Sequence, residues 1–496
     1  MLPSFIVSSV LLVSPAFAAS ASDWATKAVY QLVTDRFATS NDSSTSCDTS
    51  DRTYCGGSWV GIANHLDYIQ ELGFDAVWIS PIVENVDGTA YGDGYHGYWS
   101  RDITTVSTRF GSTDDLKKLS AALHTRGMYL MLDVVINHFA AIPTNKSVTS
   151  NGQFTFDYSL LEPLNTVADF HPQCFITDYA NQTDNDTIVT TMNAWIKDVV
   201  AAYDVDGVRI DTVKHIRKDF WSPFASSAGV FTLGEVLTDN ATYASNYIGA
   251  VDAVLEYPAY YALITAFGST SGNLSALQAS PHLAPASGSV TSASFLENHD
   301  QPRFASYTQD IALTKNAMAW PFVGDGMPIL YYGQEQGYAG GADPSNREAL
   351  WLSGYETGKP LVAHVKSLNA ARKLAIAGNS SFLSGGAAWV TQSNPSTLML
   401  SKPPLLTLLT NVGASATTQP TWSIPAGLYA ANTTLVDVLA CTALTVDGTG
   451  AATTVAAGSA CPALAVGGSG SSGAPRGRTV RALAVLGAVV GVLFLI

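Results

Sequence analysis

DGVRIDT, residues 206–212, and SASFLENHD, residues 292–300, each pass from apolar residues directly into charged ones. A short apolar run bounded by polar residues reads as a buried strand. In the first stretch Arg209 and Asp211 are two residues apart, and on a strand that spacing sends both side chains to one side. Six more runs of this kind are spread along the chain: VYQLVTDRF (29–37), AVWISP (76–81), MYLMLDVVINH (128–138), VFTLGE (230–235), AVLEYP (253–258) and MPILYYGQE (327–335). Helical patterns separate most of them, as DDLKKLSAALHTRG does before the third run. Continuously apolar strands alternating with helices specify a parallel sheet covered on both faces. Eight such units suit an α/β (β/α)8 TIM barrel with insertions, and a doubly wound sheet is the alternative that the pattern leaves open.

Charge gathers where these strands stop. Asp133, Asn137 and His138 close the third, Arg209 and Asp211 the fourth, Glu235 the fifth, and His299 and Asp300 the seventh. One such residue is explained by an ion pair at the core's edge. Four strands ending this way converge on the mouth where barrel enzymes keep their sites. Asp211, Glu235 and Asp300 are therefore expected to face one cleft, and glycoside hydrolysis needs a pair of carboxyls about the scissile bond. Arg209 would hold Asp211 ionised, as a nucleophile requires, while Glu235, with no cation adjacent in sequence, is the candidate acid. His96, His138 and His299 are candidate donors to sugar hydroxyls. Tyr91, Tyr95, Tyr98 and Trp99 sit in the Gly-rich loop GTAYGDGYHGYW (88–99). Aromatics more often pack in cores, but a loop of this kind is where sugar-stacking rings are expected. No HExxH or CxxC spacing and no GxSxG elbow occurs, which weakens metalloenzyme and serine-nucleophile readings.

The 496 residues are 47% hydrophobic and only 13% charged, with 25 Lys+Arg against 40 Asp+Glu, a net charge of −15. Such a chain has ample material for a large core, and its acidic surface argues against nucleic acid as a partner. Residues 1–18 read as a cleaved secretion signal ending Ala16-Phe17-Ala18. At the other end a Ser/Gly-rich linker with its polar spacer (467–481) leads into an apolar tail (482–496), the layout of a GPI-attachment signal with its attachment point among Ser469 to Gly473. Eight Asn-x-Ser/Thr sequons, at Asn41, Asn145, Asn181, Asn185, Asn240, Asn273, Asn379 and Asn432, suit the same secretory route. The expected location is the outer face of the plasma membrane or the cell wall. Between the ends, the barrel takes 19–138 and 191–379, a small polar excursion takes 139–190, and short strand-like pieces over 380–466 read as an antiparallel β domain.

At DVVINH (133–138), GVRIDTVKH (207–215), GEV (234–236) and FLENHD (295–300) the chain resembles the alpha-amylase family of glycoside hydrolases, in particular fungal alpha-amylases of the Taka-amylase type. DGYHGYW (93–99), GQEQGYAGG (333–341) and DPSNREALW (343–351) add to the likeness, which runs from about 24 to about 445. The resemblance implies a retaining mechanism with Asp211 as nucleophile, Glu235 as general acid/base and Asp300 as transition-state stabiliser. It implies that Arg209, His138 and His299 belong to the same constellation, and that Tyr98, Trp99, Lys214, His215, Asp343 and Arg347 line sugar subsites. It further implies disulfides Cys47–Cys55 and Cys441–Cys461, calcium at Asn137 and His215, and a monomer acting on an alpha-glucan.

Three departures stand out. The family's Leu-Pro-Asp-Leu-Asp segment is missing beside ITDYANQTDNDTIVTTMNAWIK (176–197), and with it go two acidic calcium ligands. A hard cation wants about six to eight oxygens, so calcium would require Asp169, Asp184 or Asp186 as substitutes. Cys174, the odd one among five cysteines, loses its partner. The GPI signal, absent from secreted starch-degrading relatives, resembles anchored fungal relatives associated with wall alpha-glucan and glucan transfer. Cleavage of internal alpha-1,4 bonds is the expected activity, GPI-anchored 4-alpha-glucanotransfer the alternative, and a non-catalytic glucan-binding wall protein the third reading.

Overall fold

The structure is a computed structural model and describes residues 19–141, 155–172, 186–280, 283, 290–379, 381–390, 394–439, 442–455 and 491–495. Residues 1–18, Cys174, Cys441, Cys461, Asp184, Asn145, Asn181, Asn185 and the Ser469–Gly473 stretch lie outside them.

Eight parallel strands close into a barrel: β1 (Val29–Leu32), β2 (Ala76–Ile79), β3 (Tyr129–Val134), β4 (Gly207–Ile210), β5 (Phe231–Gly234), β6 (Ala253–Leu255), β7 (Ser292–Phe295) and β8 (Met327–Tyr331). Each pairs with its neighbour in sequence, and β8 returns to β1 through Val29 opposite Ile329. The doubly wound alternative is thereby excluded. Each strand begins within one of the eight apolar runs, because such runs are stable only where both faces are covered. The inward set, including Val29, Trp78, Met131, Phe231, Leu233, Phe295 and Ile329, packs into one interior cluster. The outward set packs against the surrounding helices.

The helix Thr113–Thr125 shows how sequence sets these helices. Ser112 and Asp115 form a capping box at its start, and its buried residues Leu116, Leu119, Ser120 and Leu123 recur at helical spacing. The helix before β4 spans Asp186–Tyr203, so the excursion boundary at 190 falls inside it. The polar residues that suggested loop are the solvent face of that helix's first turns.

Trp24 plugs the foot of the barrel. Its indole stacks on Phe231 at 5.2 Å and donates to the Asp206 carbonyl at 3.0 Å. A Cβ on Gly207 would lie 2.7 Å from that indole, so the glycine that opens DGVRIDT is required by close approach.

The C-terminal region is antiparallel: β9 (Ala388–Trp389), β10 (Thr397–Lys402), β11 (Leu405–Thr410), β12 (Thr421–Ile424), β13 (Thr434–Asp437), β14 (Ala443–Thr445), β15 (Ala452–Val455) and β16 (Gly491–Leu495). Six form one sheet in the order β9-β10-β11-β16-β13-β14, and β12 pairs with β15. Five residues of the apolar tail thus run as a strand between β11 and β13. Asn411 ties this region to the barrel, its amide donating to the Ala266 and Gly272 carbonyls.

Removing the plug should weaken the whole barrel. Trp24→Ala is expected to cost about 3–5 kcal/mol in urea unfolding, and a loss within experimental error would show that the plug is dispensable.

Candidate active site

Arg209 organises the mouth of the barrel. It is 1% exposed, and its Nη1 donates to both oxygens of Asp133, at 2.8 and 3.1 Å, and to Asp211 Oδ1 at 3.1 Å. Its Nη2 lies 3.0 Å from Glu235 Oε2. Burial opposes its charge, but Asp133 and Glu235 outweigh burial and hold the guanidinium protonated. The alternation of β4 makes this possible: Arg209 points inward at the level where β3, β4 and β5 end.

Asp133 accepts also from Trp78 Nε1 at 3.0 Å and Tyr98 Oη at 2.7 Å. Burial still lifts its carboxyl to about 6, against the pull of Arg209. It anchors the cation from below. Asp211 faces the cleft, its Oδ2 accepting from Thr212 Oγ1 at 3.0 Å, while the Thr212 N–H donates to Glu235 Oε2 at 2.9 Å. Arg209 and Thr212 therefore hold the two carboxyls side by side, the arrangement needed for the short separation of about 5–5.5 Å used in retaining catalysis.

The argument that Glu235 is the acid because it lacks a neighbouring cation is corrected by the structure, since Arg209 reaches it. Burial raises Glu235 to about 7, Arg209 opposes the rise, and Asp211 and Asp300 reinforce it. Tyr257 Oη donates to Glu235 Oε1 at 3.2 Å and accepts from Asn298 Nδ2 at 2.9 Å. Asn298 Oδ1 in turn receives the N–H groups of Asp300 and Gln301, at 3.0 and 2.9 Å. One amide thus couples Glu235, through Tyr257, to the turn that carries Asp300.

Asp300 is 35% exposed, 3.2 Å from His299 Nε2 and 3.8 Å from Arg347. Arg347 pairs with Asp343 at 3.0 Å and donates to the His299 carbonyl at 3.1 Å. The cleft, about 330 Å³, is lined by Asp211, Glu235 and Asp300 with His96, Tyr98, Trp99, His138, His299, Asp343 and Arg347. Gly97, at φ +90°, lets the Gly-rich loop turn between His96 and Tyr98. Tyr98 and Trp99 are the loop rings that reach the cleft. Tyr95 is buried under the Arg36 guanidinium, and Tyr91 is 77% exposed outside the lining.

Lys214 and His215 sit just beyond Thr212 at the edge of this cleft, and the Asp211 carboxylate still acts on His215. Lys214 Nζ donates to the Leu237 carbonyl at 2.7 Å. His215 joins Asn137, His138 and Asp169 around a neighbouring cavity of about 500 Å³ whose other walls include Phe139, Leu164, Phe170, Met192 and Phe220. The described residues do not by themselves complete the calcium site expected at Asn137 and His215. Asn137 Nδ2 faces His138 Nδ1 at 3.3 Å, and the Asp169 carboxylate is engaged by Thr166. Among the described residues no group of three His, Cys, Asp or Glu side chains could hold a metal ion. Cys47 and Cys55 are bonded, at 2.00 Å.

Gln31, Arg52, Trp78, Thr212, Tyr257 and Asn298 are the residues that sequence reading passed over. Gln31 and Asn298 left a trace, as amides inside or beside apolar strand ends. Arg52, paired with Asp343 at 2.9 Å, left none.

Residues 31–363 match the family described as Alpha amylase, catalytic domain. The chain belongs to the alpha-amylase family. It is 39% identical to Alpha-amylase 2 of Schwanniomyces occidentalis over 471 residues, 89% of this chain and 90% of that one. It is 46% identical to Alpha-amylase 1 of Lipomyces kononenkoae over 380 residues, 72% of this chain and 60% of the relative's length. Against a solved alpha-amylase from Malbranchea cinnamomea the TM-score is 0.82 at 36% identity, covering 96% of this chain and 97% of that one. This family member is a glycosidase of the alpha-amylase type, and the family's chemistry is retaining.

Two outcomes follow from Glu235. A proton donor poised at about 7 is charged at higher pH, so kcat/KM should fall as pH rises through that value. Tyr257→Phe removes a donor that favours the ionised carboxyl, so the basic limb should move up, by less than about one unit. An unmoved limb would break the link between Tyr257 and Glu235. Dialysis against a chelator should leave the thermal midpoint unchanged, and a fall of several degrees would mean that donors outside the described residues complete a calcium site.

Proposed function

We propose that this enzyme cleaves internal alpha-1,4 bonds of starch-like glucans, with Asp211 as nucleophile, Glu235 as acid and then base, and Asp300 as stabiliser of the positive charge that develops on the sugar. The observation that carries the assignment is the shared grip of Arg209 on Asp211 and Glu235, with Glu235 raised to about 7 by burial. Glu235 gives its proton to the glycosidic oxygen as Asp211 attacks the anomeric carbon, and the bond to the leaving glucan breaks. Water, losing a proton to Glu235, then displaces Asp211 and releases the second product with its configuration retained. Tyr98 and Trp99 offer ring faces to sugars, and His96, Asp343 and Arg347 offer polar contacts at the cleft wall. An alpha-amylase from Geobacillus thermoleovorans, 25% identical with a TM-score of 0.72 over 95% of this chain and 98% of that one, was solved with acarbose; an oligosaccharide mimic of that kind suits this cleft.

We also propose secretion through residues 1–18 and a GPI anchor replacing the tail after Ser469 to Gly473, which would hold the enzyme at the membrane or wall. Among the described residues no helix is long and apolar enough to cross a membrane. Anchoring would remove β16 from the C-terminal sheet, so the two fates of the tail exclude each other.

Incubation of the secreted protein with maltoheptaose should yield shorter chains only. Products longer than the substrate would replace hydrolysis with glucan transfer, and no change, with Asp211→Asn identical to wild type, would overturn the enzymatic reading. Glu235→Gln is expected to lower kcat by about 10²–10⁴-fold. Mass spectrometry of the mature C-terminus should find a peptide ending between Ser469 and Gly473, and a peptide ending at Ile496 would rule the anchor out.

A further inference from the structure

Gln31 is an amide in the middle of a buried strand. It is 2% exposed, on the same inward face of β1 as Val29, and an apolar residue would fill that position at no polar cost. Its Nε2 lies 2.9 Å from Nδ1 of His299, and its Oε1 is buried with no hydrogen-bond partner. An amide kept in a barrel interior with its oxygen unsatisfied points to a task for its nitrogen.

We propose that Gln31 is a positioning residue that sets the tautomer of His299 and so aims a fixed Nε2–H at Asp300 and at the sugar bound beside it. This rests on the proposed role of Asp300. The rest of the ring's geometry is already determined. Tyr98 stacks on it at 4.8 Å with planes 5° apart, and Trp78 meets it edge-on at 6.5 Å. The His299 carbonyl is held by Asn346 Nδ2 at 3.0 Å and by Arg347 Nε at 3.1 Å. Packing fixes the plane of an imidazole but not which nitrogen carries its proton, and that is decided by the partner of the other nitrogen. An amide N–H can only donate, so Nδ1 must be the bare nitrogen and the proton must sit on Nε2, 3.2 Å from Asp300 Oδ2. The opposite amide orientation would put a proton on Nδ1 and leave the Nε2 lone pair facing a carboxylate, which is repulsive. The reversed arrangement with both nitrogens protonated is disfavoured because the ring is buried and faces Arg209 and Arg347, which with burial hold it neutral, Asp211 opposing them.

The tautomer can be read without turnover. In protein labelled with ¹⁵N histidine, with the His299 signals assigned by their loss in His299→Gln, wild type should show a protonated Nε2 and an unprotonated Nδ1. Gln31→Leu should give a mixture of the two tautomers, with kcat on maltoheptaose lowered at least about tenfold and KM changed less. Gln31→Glu, nearly the same shape but an acceptor, should draw a proton onto Nδ1, charge the ring at acidic pH and add an acidic limb to the rate profile. An unchanged ¹⁵N pattern in both variants would overturn the proposal even if the rate fell. A changed pattern in the variants, with the wild-type protein itself inactive on maltoheptaose, would leave the role of Gln31 standing and remove the hydrolytic reading.

Discussion

The Arg209 guanidinium, shut off from water, is the cation on which the mouth of the barrel depends. Asp133 meets it from β3, Asp211 from its own strand and Glu235 from the end of β5. Three carboxylates around one buried cation would repel one another without it, and removing a partner from such a cluster leaves uncompensated charge, commonly a loss of about 3–5 kcal/mol. The same cation therefore holds three strand ends in register and sets the distance between the two carboxyls that face the cleft.

Burial raises two of the carboxyls on this guanidinium in spite of their ion pairs. Glu235 is buried, near Asp211 and Asp300, and rises to about 7 despite its ion pair. Burial outweighs the pair because a desolvated carboxylate loses more than a single shared fork returns. Asp133, equally buried, is lifted to about 6 while accepting from Trp78, Tyr98 and Arg209. Behind this first set, Asn298 and Tyr257 tie Glu235 to the Asp300 turn, and Gln31 and Tyr98 orient His299. Around the cleft, amides and aromatic hydroxyls hold the carboxylates in place.

Much of this was legible in the chain. Apolar runs ending in Arg209, Asp211, Glu235 and Asp300 specify both the barrel and the strand ends that meet, because a parallel strand must be apolar throughout and can be polar only where it leaves the sheet. The segment after residue 185 was less legible, since a helix with one solvent-facing side and many Thr and Asp residues has the composition of a loop. Lys214 and His215 follow Asp211 closely, and Thr212, at φ +49°, starts the tight helical turn that carries both. A calcium site was inferred from motif positions, yet the cavity at Asn137 and His215 is walled by Phe139, Phe170 and Phe220.

Sequence by itself determined the eight strands and the carboxylates at their ends, since these follow from local periodicity and strand alternation; closure of the strands into a barrel was decided by the pairing of the last strand with the first. Tertiary structure alone decided that Arg209 serves Glu235 as well as Asp211, that burial raises Glu235 despite that ion pair, and that Gln31, Tyr257 and Asn298 stand behind the site. Those facts depend on which side chains meet across strands far apart in the chain and on how completely water is excluded, and neither is encoded in the spacing of residues along one strand.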